Sequence, residues 1–567
     1  MRKITSFILV LLLMLGSVPG YARAADSDTE RNLSGTGAPD AVPQTERVAA
    51  DGHGSADPGL VRIGLSDAVS TMDIQKTSED YLIPLNIYER LFDIQVDEDG
   101  SSHVVNGLAE DYALSEDGLT YRFTLRREAY FSDGTQVTAS DVAYTFARML
   151  SVDGGVQTDF ADMILGAEDV MKGKTAMPEG IQVLDDRHLE ITLSKPFAGY
   201  IHLLAAPSCS ILSESFTKQA GDDFGMAAET TMGSGPYMVE KFSTDHIILE
   251  RNPYYQCHEG ETLSVTQADI RVLPPALMDQ TFQKGGLDLL DTNLINPDAL
   301  KKYYLSNAWS DALVSRNRVE IQYLMLNMRG AVLEDERIRK AIGMAIDRQA
   351  ILDELYDGKG VLTDGIFPQG LIGYCSQNQG WLRYNPEEAK RLVSEVPGAG
   401  EVRLELAANS QSSTRRLTML EMIRKDLREV GLDVQIVSYD SDSFLYLRSS
   451  GRLMAYTGEW SADFNDPDNF IYTFFGNRGK TRNRSSNFSD DIIFGRISRA
   501  RAIQNEEKRL KEYADLERRL VQEEAVWVPL FSSEHLFVLG ERVESFRPFW
   551  AGWSSLYLRD VTMKSGS

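Results

Sequence analysis

Apolar residues recur along this chain at two spacings, every second position and every third or fourth, and the two are mixed from end to end. Residues 61–65 (Val-Arg-Ile-Gly-Leu) alternate and open the ordered part of the chain as a strand. Residues 121–125 (Tyr-Arg-Phe-Thr-Leu), 189–193 and 246–250 read as further strands, each with one face buried. Thr138 and Asp141 predict a helix start, with the hydroxyl capping free amides and the carboxylate at the positive helix end. Over 417–430 the period lengthens. Leu417, Leu420, Ile423 (or Arg424), Leu427 and Val430 share one helical face, Gly431 stops the helix, and 432–437 reads as the strand that follows. Such a helix–Gly–strand unit belongs to an α/β layer. No repeat of 20–50 residues interrupts the pattern.

The first residues follow a different rule. Arg2 and Lys3 precede an unbroken apolar run over 7–18, too short for a comfortable bilayer span. Pro19-Gly20 then breaks it and Ala22-Arg-Ala24 supplies a small-x-small site, so residues 1–24 read as a cleavable export signal. No Cys stands near it, so a lipoprotein is not expected and the protein is read as periplasmic. Residues 25–59 are polar, small and Pro/Gly-containing, and are expected to be a flexible leader. Cys209, Cys257 and Cys375 have no metal, haem or redox spacing, and their odd number leaves at least one thiol free.

The full 567 residues allow two to four domains, and 43% hydrophobic content is ample for a large core. The formal charge of −26 argues against nucleic acid and anionic lipid as partners. Removing residues 1–24 takes away three cations and no acids, which leaves −29. By itself that excess means solubility. Catalytic patterns are missing. There is no HExxH pair and no GxSxG elbow, and the seven histidines are scattered, with none at i, i+4 spacing. The run ending in Gly173-Lys-Thr175 lacks a glycine at phosphate-loop spacing, and acid pairs such as Asp185-Asp186 are expected by chance. No enzyme, cofactor or metal is expected.

Several blocks, taken in order, resemble the family 5 extracellular solute-binding proteins of ABC importers, the oligopeptide- and dipeptide-binding group. They are Gly107-Leu-Ala-Glu-Asp-Tyr with Ser115-Glu-Asp-Gly-Leu-Thr-Tyr and Phe131-Ser-Asp-Gly-Thr; Gly233-Ser-Gly-Pro-Tyr237 with Arg251-Asn-Pro-Tyr; Tyr323-Leu-Met-Leu-Asn327 with Ala345-Ile-Asp-Arg348; and Gly458-Glu-Trp-Ser-Ala-Asp463. The resemblance covers roughly 60–560. It implies an α/β fold of two lobes closing like a hinged trap (a class II periplasmic-binding-protein-like fold), with an extra domain inserted in the first lobe. Lobe I would comprise 60–92, 204–317 and 528–567, the insertion 93–203, and lobe II 318–527. It further implies a monomer that captures short peptides and delivers them to the importer's permease subunits. A non-peptide solute such as a metal chelate or a sugar is the alternative, and a secreted hydrolase a more distant one.

The resemblance also implies site residues. Asp463, three residues after Trp460, matches the carboxylate that receives a peptide's α-ammonium. Without the resemblance a solvated or helix-capping Asp is the better reading, since a buried carboxylate is costly unless paired. Trp460 would wall a side-chain pocket or simply pack in the core. Tyr323 matches an aromatic facing the ligand, and packing is its other role. Asp80, Tyr81 and Leu82 match a segment whose backbone pairs with an extended ligand, or else form a surface loop. Two departures stand out. Glu459 replaces the usual Gly before the Trp, where an anion would crowd the site or select basic ligands. Thr457 replaces an Arg that helps to hold longer peptides, which tilts the expectation towards short ones.

Overall fold

The computed structural model describes residues 57–77, 81–97, 101–258, 260–305, 307–552 and 556–565. The export signal, nearly all of the leader and Asp80 lie outside the described residues. The alternating segment becomes strand Leu60–Leu65, which pairs in parallel with Gln267–Val272 along its whole length. Gln267–Val272 in turn pairs antiparallel with His246–Arg251, and that strand with Tyr237–Phe242. These strands form the sheet of the first lobe.

The second lobe is built on Arg403–Asn409 and Asp433–Tyr439, parallel in register and joined by helix Thr414–Glu429. The helix, the positive φ of Gly431 and the following strand are as the sequence predicts. The buried stripe differs by one position. Leu417 is exposed, whereas Met419 joins Leu420, Ile423 and Leu427 in the core, because the stripe begins one turn after the helix does. Strand Ala455–Ser461 runs antiparallel to Glu320–Leu326 over all seven residues.

Strand Trp527–Leu539 joins the two lobes. Its first half pairs with Glu320–Leu326 of the second lobe, and its second half with Leu313–Asn317 and Leu289–Asp291 of the first. The chain enters the second lobe through Asn317–Glu320 beside that same strand, so the two crossings lie next to each other. Buried Glu320 knots them together. Its carboxylate accepts from Ser533 Oγ at 2.6 Å and pairs with Arg318 at 3.1 Å, while its carbonyl accepts from Ser532 Oγ.

The inserted domain is a four-stranded antiparallel sheet, Ala109–Leu114, Thr120–Leu125, His188–Thr192 and Ile181–Val183, with helix Ala139–Met149 packed on it. At that helix's start Thr138 and Asp141 close the expected capping box, with the Asp141 carboxylate accepting from both the amide and the hydroxyl of Thr138. The inserted domain reaches the second lobe through Ser102, which accepts from Asn465 Nδ2 at 2.8 Å, and through Phe197, edge-on to Phe464. All three cysteines are free thiols, with Cys209 buried. Among the described residues no helix is long and apolar enough to cross a membrane.

Candidate functional site

Strand pleating sorts the residues of Ala455–Ser461. Successive side chains point to opposite faces, so Tyr456, Gly458 and Trp460 share one face and Thr457 and Glu459 the other. Tyr323 lies opposite Gly458 on the first face. A Cβ at 458 would stand 2.5 Å from the Tyr323 hydroxyl, so only glycine admits the ring there. Tyr323 stacks on Trp527 at 4.5 Å and meets Phe474 edge-on, as does Trp460. Such pairs contribute about 0.5–1.5 kcal/mol each beyond area burial. Trp460 and Tyr323 are thus walls of one rigid aromatic cluster. The Arg484 guanidinium lies 4.6 Å from the Trp460 ring centre and 4.6 Å from that of Phe474.

Asp463 leaves the strand and is held by Asn469 from the first turn of helix Asp468–Phe475. The Asn469 carbonyl oxygen accepts from Trp460 Nε1 at 3.0 Å and from the Asp463 amide at 3.1 Å. Its Nδ2 donates to Asp463 Oδ2 at 2.9 Å. Two N–H donors on one oxygen fix the orientation of the amide. One side chain therefore sets both Trp460 and Asp463.

Asp463 is half-buried and, among the described residues, forms no ion pair. Loss of solvent pushes its carboxyl up to about 7. The Asn469 hydrogen bond and the Arg484 charge oppose that shift, and the Asp159 charge adds to it. Asp159 and Asp162, from the inserted domain, are exposed, yet desolvation raises both, Asp162 to about 6. Lys480, from the second lobe, faces the same two acids and is itself pushed down by desolvation.

Tyr81 is buried. Its hydroxyl accepts from Gln157 Nε2 at 3.2 Å. Burial raises its pKa, and the Asp463 charge adds to that. Its backbone does not match the expected role. Tyr81 sits in the αR conformation and its carbonyl accepts from the Leu85 amide, while the Leu82 carbonyl accepts from Asn86 Nδ2. Helix Leu82–Ile87 has taken up the carbonyls that an extended ligand would use. Glu459 points away from Trp460. Its carboxylate accepts from Gln322 Nε2 at 2.8 Å and Arg416 at 2.7 Å, so the anion expected to crowd the site is paired on the opposite face. Of the expected site residues, Asp463 is half-buried, Trp460 and Tyr81 are buried, Tyr323 lies inside the aromatic cluster, and Glu459 stands on the opposite face of the strand.

Sequence reasoning missed Asn469, Asp159, Asp162, Lys480 and Arg484. Asn469 had a local signal, an amide in the first turn of a helix beginning five residues after Asp463. The two inserted-domain acids, some 300 positions away, had none.

Comparison with known proteins agrees with this architecture. The family model for bacterial extracellular solute-binding proteins, family 5 Middle, matches residues 103–482. The dipeptide-binding protein of Escherichia coli is 26% identical over 458 residues, 75% of this chain and 80% of its own. Heme-binding protein A of Haemophilus influenzae is 25% identical over 493 residues, 83% and 86% of the two chains. The solved structure of MppA, a periplasmic murein tripeptide binding protein in its unliganded open form, superposes with a TM-score of 0.75 at 18% identity, covering 89% of this chain and 97% of that one. Two lobes, an inserted domain, a doubled crossing strand and the matched model together place the chain: it belongs to family 5 of the bacterial extracellular solute-binding proteins, the solute-binding components of ABC importers.

Proposed function

We propose that this protein captures short peptides with free N-termini in the cleft between its lobes and presents them to the importer's membrane permease. The observation that carries the reading is Asp463, a desolvated carboxyl with no protein cation paired to it, aimed by Asn469 beside an aromatic wall. A peptide ammonium supplies the missing cation, and a charge-assisted contact of this kind contributes about 1.5–3 kcal/mol. Backbone geometry supports the same reading. Strand Arg403–Asn409 pairs with Ala455–Ser461 only at Ala455 and Tyr456, so among the described residues no strand neighbours that edge from Gly458 onward, as addition of an extended ligand requires; the Thr457 carbonyl accepts from Arg416 Nη1. Closure is then a population shift, the ligand stabilising the state in which it touches both lobes. An export signal at 1–24 and a periplasmic location belong to this proposal.

Mass spectrometry of material released from the purified protein by mild denaturation tests the class of ligand. Di- or tripeptides are expected, whereas a porphyrin, metal chelate or sugar would replace the peptide reading. Calorimetry with Ala-Ala and N-acetyl-Ala-Ala tests the ammonium contact, and equal affinities would remove it.

A further inference from the structure

Helix Arg478–Asn483 carries a base at every second position, Arg478, Lys480 and Arg482. Residues two apart on a helix point to opposite sides, and residues four apart share one. Lys480 accordingly faces Asp159 and Asp162 of the inserted domain, while Arg478 and Arg482 lie together on the other side. There they border a pocket of about 330 Å³, joined by Arg329, which follows strand Glu320–Leu326. All three arginines are exposed, and the pocket's buried residues are Thr481 and Phe488. No acid lines it. Among the described residues Arg329 and Arg482 form no ion pair, and Arg478 pairs with Asp491 at 2.8 Å. In a chain with 84 acids against 58 bases, three guanidiniums around one pocket run against the average.

The pocket is held in shape by its own frame. Ser485 and Asn487, just after the helix, both take a positive φ, 54° and 49°, which is uncommon away from glycine. Asn487 Nδ2 donates to Asn327 Oδ1 at 2.9 Å and to the Gly451 carbonyl at 2.8 Å, and the Ser486 carbonyl accepts from the Met328 amide. These bonds fasten the turn that follows Arg482 to the segment that carries Arg329. The stem of Arg482 packs on Gly451, where a Cβ would stand 2.9 Å from its Cγ.

We infer that this pocket is a docking site for an acidic loop of a protein partner, the importer's membrane permease. It rests on the importer role and not on the identity of the solute. Guanidiniums offer planar forks that match carboxylates. The acidic remainder of the surface repels such a loop, so the loop is steered to this one place. The net charge of −26 also repels an anionic bilayer, which disfavours a lipid headgroup as the occupant. Position gives the site its use. One short helix meets the inserted domain on one side and the partner on the other, so the docking site travels with the second lobe as the lobes turn.

Fluorescence anisotropy with labelled N-acetyl-tetraglutamate amide tests the pocket, acetylation keeping the probe from an ammonium contact at Asp463. Wild type is compared with the Arg329→Glu/Arg482→Glu double variant and with Lys425→Glu/Lys511→Glu, which reverses two exposed charges elsewhere on the same lobe. The pocket variant is expected to bind the probe about tenfold more weakly and the control variant less than twofold. Wild-type binding should weaken severalfold as salt rises from about 20 to 200 mM. Equal losses in the two variants, or no binding to wild type, overturn the site. Vesicles containing phosphatidylglycerol that bind through the same arginines while tetraglutamate does not would replace the protein partner with a lipid. With the cognate permease in proteoliposomes, the concentration of binding protein that half-saturates ATP hydrolysis should rise about tenfold for the pocket variant, and an unchanged value removes the permease as the partner. Ala-Ala affinity by calorimetry should be the same in wild type and both variants. Absence of Ala-Ala binding alongside intact tetraglutamate binding removes the peptide reading and keeps the docking site. Thermal melts, together with the milder Arg329→Gln/Arg482→Gln variant, separate lost docking from lost folding.

Discussion

Asp463, Asp466 and Asp468 lie within six residues of one loop, yet they have opposite fates. Asp466 is fully buried and paired with Arg509 at 2.7 Å. Asp468 is buried too, bonded to Arg501 at 3.0 Å and to the Tyr513 hydroxyl at 2.7 Å. Asp463 has the Asn469 amide for a partner and, among the described residues, no ion pair. The protein completes the first two within itself, and under the proposed function the ligand completes the third. On that reading a carboxylate's partner, more than its burial, separates an acid that holds a fold together from one that holds a ligand.

Removing one member of the paired set should produce the largest effect. Asp466→Ala strands the Arg509 charge in the core and is expected to destabilise by about 3–5 kcal/mol, visible as a large drop in the urea unfolding midpoint. A drop no greater than that of a surface variant would remove the distinction. Asp463→Asn should invert the pattern. Affinity for Ala-Ala is expected to fall about a hundredfold by calorimetry, with a melting temperature equal to or above wild type, since a desolvated charge is lost.

Smaller effects follow from acidity. The Asp463 carboxyl titrates near 7 in the empty protein, and a ligand ammonium favours its ionised form. Affinity should therefore be flat above about pH 7 and fall up to tenfold per unit below it, and this slope should vanish in Asp463→Asn. Stability runs the other way. The folded carboxyl keeps a proton that the unfolded chain releases near pH 4, so the contribution of Asp463 to stability declines as pH rises from about 4 to 7 and then levels. The smallest effect belongs to Glu459→Gln, whose side chain lies on the far face with Arg416. Ala-Ala affinity should change less than threefold, and a tenfold gain or loss would return Glu459 to the cleft.

Periodicity made much of the fold legible. The strands at Leu60–Leu65 and Thr120–Leu125 and the helix before Gly431 follow from local alternation, and alternation is a local property. The same rule already separates Glu459 from Trp460, because neighbours in a strand face opposite ways. The backbone of Tyr81 and Leu82 was not legible, because all six residues of Leu-Ile-Pro-Leu-Asn-Ile are buried, which leaves no amphipathic period to mark a short helix. Nor were the charges that define the cleft. The acidity of Asp463 depends on Asp159 and Arg484, which only the closed topology brings near it. Local pattern encodes elements, whereas electrostatics depends on what those elements bring together.

The doubled crossing between lobes has a mechanical consequence. Asn317–Glu320 and the middle of Trp527–Leu539 run side by side, with the short strand Gly360–Leu362 paired to Phe531–Ser533, as a narrow ribbon that is stiff along its length and softer to bending across it. A joint of that section has one easy axis, about which the outer surfaces of the two lobes would turn together. The Arg318–Glu320–Ser533 knot sits at the fulcrum and sets the torsional stiffness. Different solutes would then reach a membrane partner as one common signal, the bend of this ribbon.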